Sequence, residues 1–388
     1  MILIALLTIT HLQAQNSIAD VLASIEANST QLAALREQME AEYLSNRTDL
    51  NPHDPEVEYN YFWGTPSAIG NRTDLVVTQS FDFPTSYWHR KKIADLSNEN
   101  LRFAYHAKRK NLLLEAQAIC INLVYYNALQ DEYSVRLEHA QSIAKMYATQ
   151  FELGSANILE KNKAKLNLIN TENTIKAITI EQQSLLSELK ALNGGKTISF
   201  NAKQNVLTTL PTNFTSWYAE VASHHPLLQA MQKEQAIADQ AIKLNTALNL
   251  PKLTTGYMSE KMVGEYFRGL TVGVSIPLWE NRNKLKQAKA QARYTEKSVE
   301  DMEVQVYNQL ENLYLKAQHL AINAQQYQEA LSDFNNESYL KQALDAGEIS
   351  LLNYLLELEF YYDTKQKALE TNRDYELAVA NLMQYANP

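Results

Sequence analysis

No proline occurs between residues 85 and 210, or between residues 278 and 387. Proline interrupts a helix and glycine weakens one, and both gaps are almost free of glycine as well. The spacing therefore predicts very long helices in each gap. A helix of about 65 residues is roughly 95–100 Å long. It cannot fold around itself, so its apolar seam must meet other helices. The two gaps are also copies of one plan: Pro84 and Pro277 are 193 residues apart, and so are Gly154 and Gly347. Equal offsets of this kind indicate an internal duplication.

Each copy enters its long helix through a strand. Leu270, Val272, Val274 and Ile276 alternate with Thr271, Gly273, Ser275 and Pro277. Leu75, Val77, Phe81 and Phe83 alternate with Asp74, Val76, Thr78, Ser80 and Asp82 ahead of Pro84. A period of two is the strand signal, and a proline is tolerated at a strand end. Val57, Tyr59, Tyr61 and Trp63 alternate in the same way with Glu56, Glu58, Asn60 and Phe62, across a turn-rich segment from the strand that follows.

In chain order, 1–15 reads as a secretory signal: an apolar run, then Leu12-Gln13-Ala14 ahead of a polar turn. The first repeat covers 16–195. It holds a helix over Ser17–Leu44, a β-hairpin over 56–83, a long helix over 86–150, a tip at 154 with Ser155 as its candidate cap, and a helix over 156–192. A polar linker spans 196–216. The second repeat covers 217–388, with a first helix from Pro226, a hairpin over 252–277, a long helix over 280–346, a tip at 347 and a helix over 350–385. Val299, Met302, Val306, Leu310, Leu313, Ala317, Leu320, Ala324, Tyr327, Leu331 and Phe334 step only by threes and fours. That is coiled-coil packing.

Composition removes several classes. Hydrophobic residues make up 45% of the chain, mean hydropathy is −0.36, and no run of about 20 apolar residues follows the N-terminus. A polytopic helical membrane protein is excluded. A net charge of −9 gives no support to nucleic-acid binding. The single cysteine, Cys120, cannot form an internal disulfide. No catalytic constellation, phosphate loop or metal-ligand motif appears, so neither an enzyme nor a resident cofactor is expected.

The architecture follows from the strands. A lone hairpin is unstable. Each strand is about 8–11 residues, the length of a transmembrane β-strand. Four strands cannot close a barrel, and an open edge cannot exist in lipid, whereas three copies would supply twelve strands.

Several segments resemble the TolC-type outer-membrane efflux proteins. VGVSIPLWENRNKLKQAKA (272–290) resembles the second-repeat signature of that family, and Gln79-Ser80-Phe81-Asp82-Phe83-Pro84 its first-repeat counterpart. Phe151-Glu152-Leu153-Gly154-Ser155 and Ala346-Gly347-Glu348 resemble its two periplasmic helix-turn-helix tips. His225-Pro226-Leu227-Leu228 resembles the opening of its second repeat. The resemblance implies an α+β outer-membrane protein and homotrimer, with a twelve-stranded β-barrel and a periplasmic α-barrel of antiparallel coiled-coil helices. It implies docking of a periplasmic adaptor, or membrane fusion protein, at the tips, here Leu153, Gly154, Ser155, Ala346, Gly347 and Glu348, and an inner-membrane pump of the RND type.

In that frame Val57, Tyr59, Tyr61, Trp63, Leu75, Val77, Phe81, Phe83, Val272, Val274 and Ile276 face lipid, although a soluble sheet core would use the same alternation. Glu56, Glu58, Asp74 and Asp82 then form a solvated lumen face. Lys252, Lys261 and Arg268 weaken any preference it has for cations. Some relatives constrict their tunnel with acidic residues six and nine positions after the second tip glycine. Those positions are Asn353 and Leu356 here, and Glu160 and Lys163 in the first copy. Glu160 and Asn353 are the candidates to line a constriction.

The expected function is a passive exit duct of a tripartite efflux system, in the heavy-metal branch and carrying metal cations. Multidrug efflux and type I secretion use the same duct. A secreted coiled-coil scaffold or adaptor is the alternative of a different class.

Overall fold

A computed structural model describes residues 17–204, 210–333, 337–384 and 386. The signal segment expected at 1–15 lies outside the described residues. Ser17 caps α1 (Ile18–Asn28), its side chain accepting the N–H of Asp20 at 3.2 Å. The single helix expected over Ser17–Leu44 is in fact two, because Ser29 separates α1 from α2 (Thr30–Ser45) with an extended backbone at φ −62°, ψ 117°. Serine competes with the helix by bonding nearby backbone, and the Ser29 hydroxyl accepts from Leu32 N–H at 3.4 Å.

The second copy breaks at the same place: α5 (Phe214–His224), then His225, then α6 (Pro226–Ala247). The sequence reading left Phe214–Ser216 in the linker and α5 unrecognised. Asn213 is the missed signal, since its side chain accepts Ser216 N–H at 3.0 Å and opens the helix.

The strands are β1 (Glu56–Phe62), β2 (Arg72–Phe81), β3 (Lys252–Met262) and β4 (Glu265–Ser275). The remaining helices are α3 (Pro84–Glu152), α4 (Ile158–Leu192), α7 (Lys284–Asp333), α8 (Glu337–Asp345) and α9 (Leu351–Met383). Residues 334–336, including the expected seam residue Phe334, lie outside the described residues. The start of α7 is four residues later than expected at 280. Asn283 takes the left-handed region at φ 69°, and Lys284 N–H bonds Asn281 O at 3.1 Å, closing a turn before the helix.

The chain forms two compact units. One comprises Leu35–Ala107 and Ala222–Val306 and holds the sheet. The strand order is β1-β2-β3-β4, antiparallel throughout. The two hairpins, more than a hundred residues apart in sequence, therefore share one sheet through the pairing of β2 with β3. Gly256 makes that pairing close: a Cβ there would sit 2.7 Å from Val77 O.

The other unit comprises Met1–Ala34, Lys108–Val221 and Tyr307–Pro388 and is helical. Leu112, Ile119, Cys120 and Leu123 of α3 are buried in it. Burial pushes the Cys120 thiol up to about 12, so it is a small core residue rather than a nucleophile. The α7 seam behaves as its spacing predicted. Val306, Leu310 and Ala317 are buried, and the other described seam residues are half-buried.

At the end of α4, the buried Asn193 accepts from Ser24 Oγ at 3.1 Å and from Asn28 Nδ2 at 3.2 Å, both on α1. Gly194 follows at φ 63°, and a Cβ on it would lie 2.3 Å from Asn28 O. Glycine is required there on both counts.

Candidate functional site

The ladder register defines two faces of the sheet. Val57 pairs with Val77, Tyr59 with Leu75, Val77 with Tyr257, Phe81 with Leu253, Leu253 with Val274, Thr255 with Val272, and Tyr257 with Leu270. Directly paired residues share a face. The expected residues on β1, β2 and β4 are thus brought together, joined by Leu253, Tyr257, Tyr266 and Leu270. The sequence reading missed the β3 members because Thr255, Ser259 and Lys261 dilute that strand's alternation. This face is open to solvent in the single chain: Leu270 is 86% exposed, Val272 78% and Val57 66%. An apolar patch of this extent marks a surface made to be covered.

Three residues expected in the strands lie beyond them. Trp63 and Ile276 follow the ends of β1 and β4 and remain exposed. Phe83 follows β2. Its carbonyl accepts from the N–H of Ser86 at 2.8 Å and from the Ser86 hydroxyl at 2.7 Å, so it already belongs to the entry of α3.

The opposite face carries Glu56, Glu58, Asp74, Thr78, Ser80, Gly256, Glu260, Glu265, Thr271 and Gly273, interrupted by Phe62, Val76, Met258, Met262 and Phe267. Two of its expected solvated acids are not solvated. Asp74 is buried and takes a two-pronged contact from Arg72, both bonds at 2.8 Å, while Arg72 also reaches Glu260 at 3.1 Å. Asp82 is buried against Arg90, and its N–H donates to the Tyr87 hydroxyl at 3.0 Å. The arginines displace water from both carboxylates. The register also separates charges that the sequence had pooled. Lys261 pairs with Thr73 and Arg268 with Ser259, on the apolar face, and both reach over the Tyr266 ring. Lys252 stays on the acidic side, 2.8 Å from Glu280.

The two helix reversals repeat each other residue for residue. Gly154 has φ 74° and Gly347 φ 75°, and nothing lies within 4 Å of a Cβ built on either. Only the left-handed backbone demands glycine at these two positions. Ser155 N–H bonds Gln150 O at 2.8 Å, and Glu348 N–H bonds Ala343 O at 2.9 Å. Leu153, Ser155, Ala346 and Glu348 are exposed. Three residues past each glycine, Asn157 and Ser350 cap the next helix. The expected cap, Ser155, is instead spent in the turn, its Oγ donating to Gln150 O at 3.1 Å.

Glu160 and Asn353 occupy the third position of their helices. Glu160 returns the bond, accepting Asn157 N–H at 3.0 Å in a capping box. Asn353 N–H donates to Ser350 Oγ at 3.2 Å. One core joins the reversals: Ile143 and Tyr147 of α3, Ala164 of α4, and Leu351, Tyr354 and Leu358 of α9. Replacing Asn157 with Ala should cost about 1 kcal/mol, and with Ser much less. Denaturant unfolding of the two variants checks this; equal losses would mean the capping bond is immaterial.

Among the described residues no three His, Cys, Asp or Glu side chains gather where they could hold a metal ion. No family model matches the chain, and no curated protein matches its sequence. Solved structures match its fold. The outer-membrane channel CmeC of Campylobacter jejuni is 14% identical with a TM-score of 0.79, over 95% of this chain and 85% of that one. CusC, described in terms of folding and transmembrane channel formation, is 15% identical with a TM-score of 0.80, over 96% and 92%. The outer-membrane protein VceC of Vibrio cholerae is 13% identical with a TM-score of 0.77, over 95% of both chains. At these identities the likeness is one of fold: long helices with a four-stranded antiparallel contribution per chain.

Proposed function

We propose that this chain is a TolC-type outer-membrane protein, the exit duct of a tripartite efflux system. The observation that carries the reading is the exposed apolar face running across all four strands. A four-stranded sheet with two free edges cannot stand in lipid, and three copies would close twelve strands with that face outward. The polar face would then line the lumen, and the helical unit would lie in the periplasm. A coiled-coil scaffold has no use for such a face. The chain would be a conduit, not a catalyst, working with an adaptor at the two reversals and an inner-membrane pump of the RND type.

Metal cations are the cargo we favour within this reading. The support is charge: Glu56, Glu58 and Glu265 are exposed on the polar face, while its Arg72 is engaged by Asp74 and Glu260 and its Lys252 by Glu280. Organic cargo or secreted protein would use the same duct, and export assays in a host lacking its own duct separate them by which challenge the chain relieves.

The experiment for the duct itself is native mass spectrometry of the chain purified in detergent. Three chains per particle are expected. A monodisperse monomer that needs no detergent would end the reading.

A further inference from the structure

Each helix that leaves the sheet begins on a basic stretch. Residues 84–94 hold three Lys or Arg and residues 281–295 hold five, with no Asp or Glu in either, in a chain of net charge −9. Two of the eight are engaged: Arg90 pairs with Asp82, and Lys284 Nζ donates to Asn281 Oδ1 at 3.0 Å. Lys91, Lys92, Lys286 and Lys289 are exposed, and no ion pair engages them among the described residues. Like charges brought together cost free energy that an anion between them would recover. Large apolar side chains stand exposed beside them: Trp88 on α3, and Leu278 and Trp279 between β4 and α7.

The exposed stretch of α3 lies on the apolar side of the sheet. α3 is held from one side by α2, Asn46 Nδ2 donating to Asn98 Oδ1 at 2.9 Å, and from the other by α6, with Gln240 Nε2 2.6 Å from His89 Nδ1. At about 3.6 residues per turn, Trp88 and Lys92 stand about a quarter turn from both contacts. On α7, Lys289 is likewise turned about a quarter away from the buried Ala292 and Thr295. Which of the two open sides of α3 this is follows from the hand of the chain. Val263 and Gly264 both take positive φ, 47° and 94°, so β3 and β4 close through a two-residue turn on a hydrogen-bonded Met262–Glu265 pair. Down the ladder from it, Glu260, Met258 and Gly256 on the polar face bond toward β4. For L-residues, β1 to β4 then run from left to right, seen from the polar face with that turn uppermost. α3 descends right-handed between α2 on the left and α6 on the right, so Trp88 and Lys92 point away from such a viewer, to the apolar side.

We propose that Lys91, Lys92, Lys286 and Lys289 form a basic collar that binds the phosphates of anionic phospholipids. The collar deepens the duct reading and rests on it, since a membrane must cover the apolar face for its headgroups to reach these lysines. Apolar strands give way to exposed tryptophans and then to lysines, the order in which a bilayer passes from hydrocarbon to interface to phosphate. At about 1.5 Å per residue, Lys91 and Lys92 begin about 10 Å beyond Pro84, and Lys286 and Lys289 about 3–8 Å beyond Lys284. A headgroup layer is about 5–7 Å deep, and a lysine stem lets its ammonium rise toward it. Basic clusters of this size beside a membrane favour anionic lipid. An acidic protein surface would satisfy the lysines but not Trp88, Leu278 and Trp279.

The full chain is reconstituted into vesicles of phosphatidylcholine mixed with phosphatidylglycerol, then lifted gently into detergent and weighed by native mass spectrometry. Insertion is scored separately, as co-flotation with vesicles of phosphatidylcholine alone. Phosphatidylglycerol retained on the wild type should be enriched at least about fivefold over the bulk mixture, since one basic residue near a charged surface contributes a factor of about that size. The enrichment should shrink at high salt, because the lysines are exposed. With Lys91→Gln, Lys92→Gln, Lys286→Gln and Lys289→Gln combined it should vanish while insertion persists. The matching Lys→Arg chain should keep it, because arginine also binds phosphate. Lys163→Gln, Lys165→Gln and Lys176→Gln, at exposed positions of α4, should leave it unchanged. A chain that inserts yet retains no excess phosphatidylglycerol, or a Gln chain that retains as much as wild type, would overturn the collar and leave the duct standing. A chain that floats with no vesicle would overturn both.

Discussion

Leu270→Lys is expected to cost about 2–4 kcal/mol of stability for the membrane-inserted protein. Leu270 lies at the middle of β4 on the apolar face, paired with Tyr257, and is 86% exposed in the single chain. If lipid covers it, a lysine there takes its charge into hydrocarbon. Thr271, paired with Gly256 on the other face, is the control: Thr271→Lys should be much milder. Reversible unfolding in lipid vesicles gives both numbers. Equal losses on the two faces would mean that the sheet does not divide lipid from lumen.

The second large effect is expected at the helix reversals. Ser155→Trp or Glu348→Trp should abolish efflux while leaving assembly and membrane insertion intact. Each residue directly follows a left-handed glycine and is exposed, so a bulky side chain has room without disturbing the core beneath. A partner that inserts at the reversals would meet it at once. The readout is export in cells, together with co-purification of the adaptor. Variants that export normally and still hold the adaptor would move the docking site elsewhere and leave the glycines as turn-makers.

Much of this was legible because the relevant signals are local. Pro84, Pro277, Gly154 and Gly347 act through their own backbones, so the duplication and both reversals could be read directly. The strands on which period two was clean, around Val57, Leu75 and Val272, kept their faces in the sheet. What escaped was set by pairing. Nothing near Lys261 or Arg268 says that they lie away from Glu58; only the register of β3 against its neighbours does so. The burial of Asp74 and Asp82 depends on where Arg72 and Arg90 reach. The break at His225 is marked by Pro226, whereas the one at Ser29 has no proline or glycine of its own and the sequence reading passed over it.

The junction of Gly194 with Asn28 bears on the order of events in folding. Its hydrogen bonds join residues 165 apart in sequence, from Asn193 back to Asn28. Closing so long a loop is entropically uphill until α3 and α4 have already docked. The junction should thus form after the rate-limiting step and act as a latch on the finished repeat. Gly194→Ala, which forces a Cβ onto the Asn28 carbonyl, should speed unfolding while leaving the refolding rate nearly unchanged. A slowed refolding limb would instead place the latch among the first contacts made.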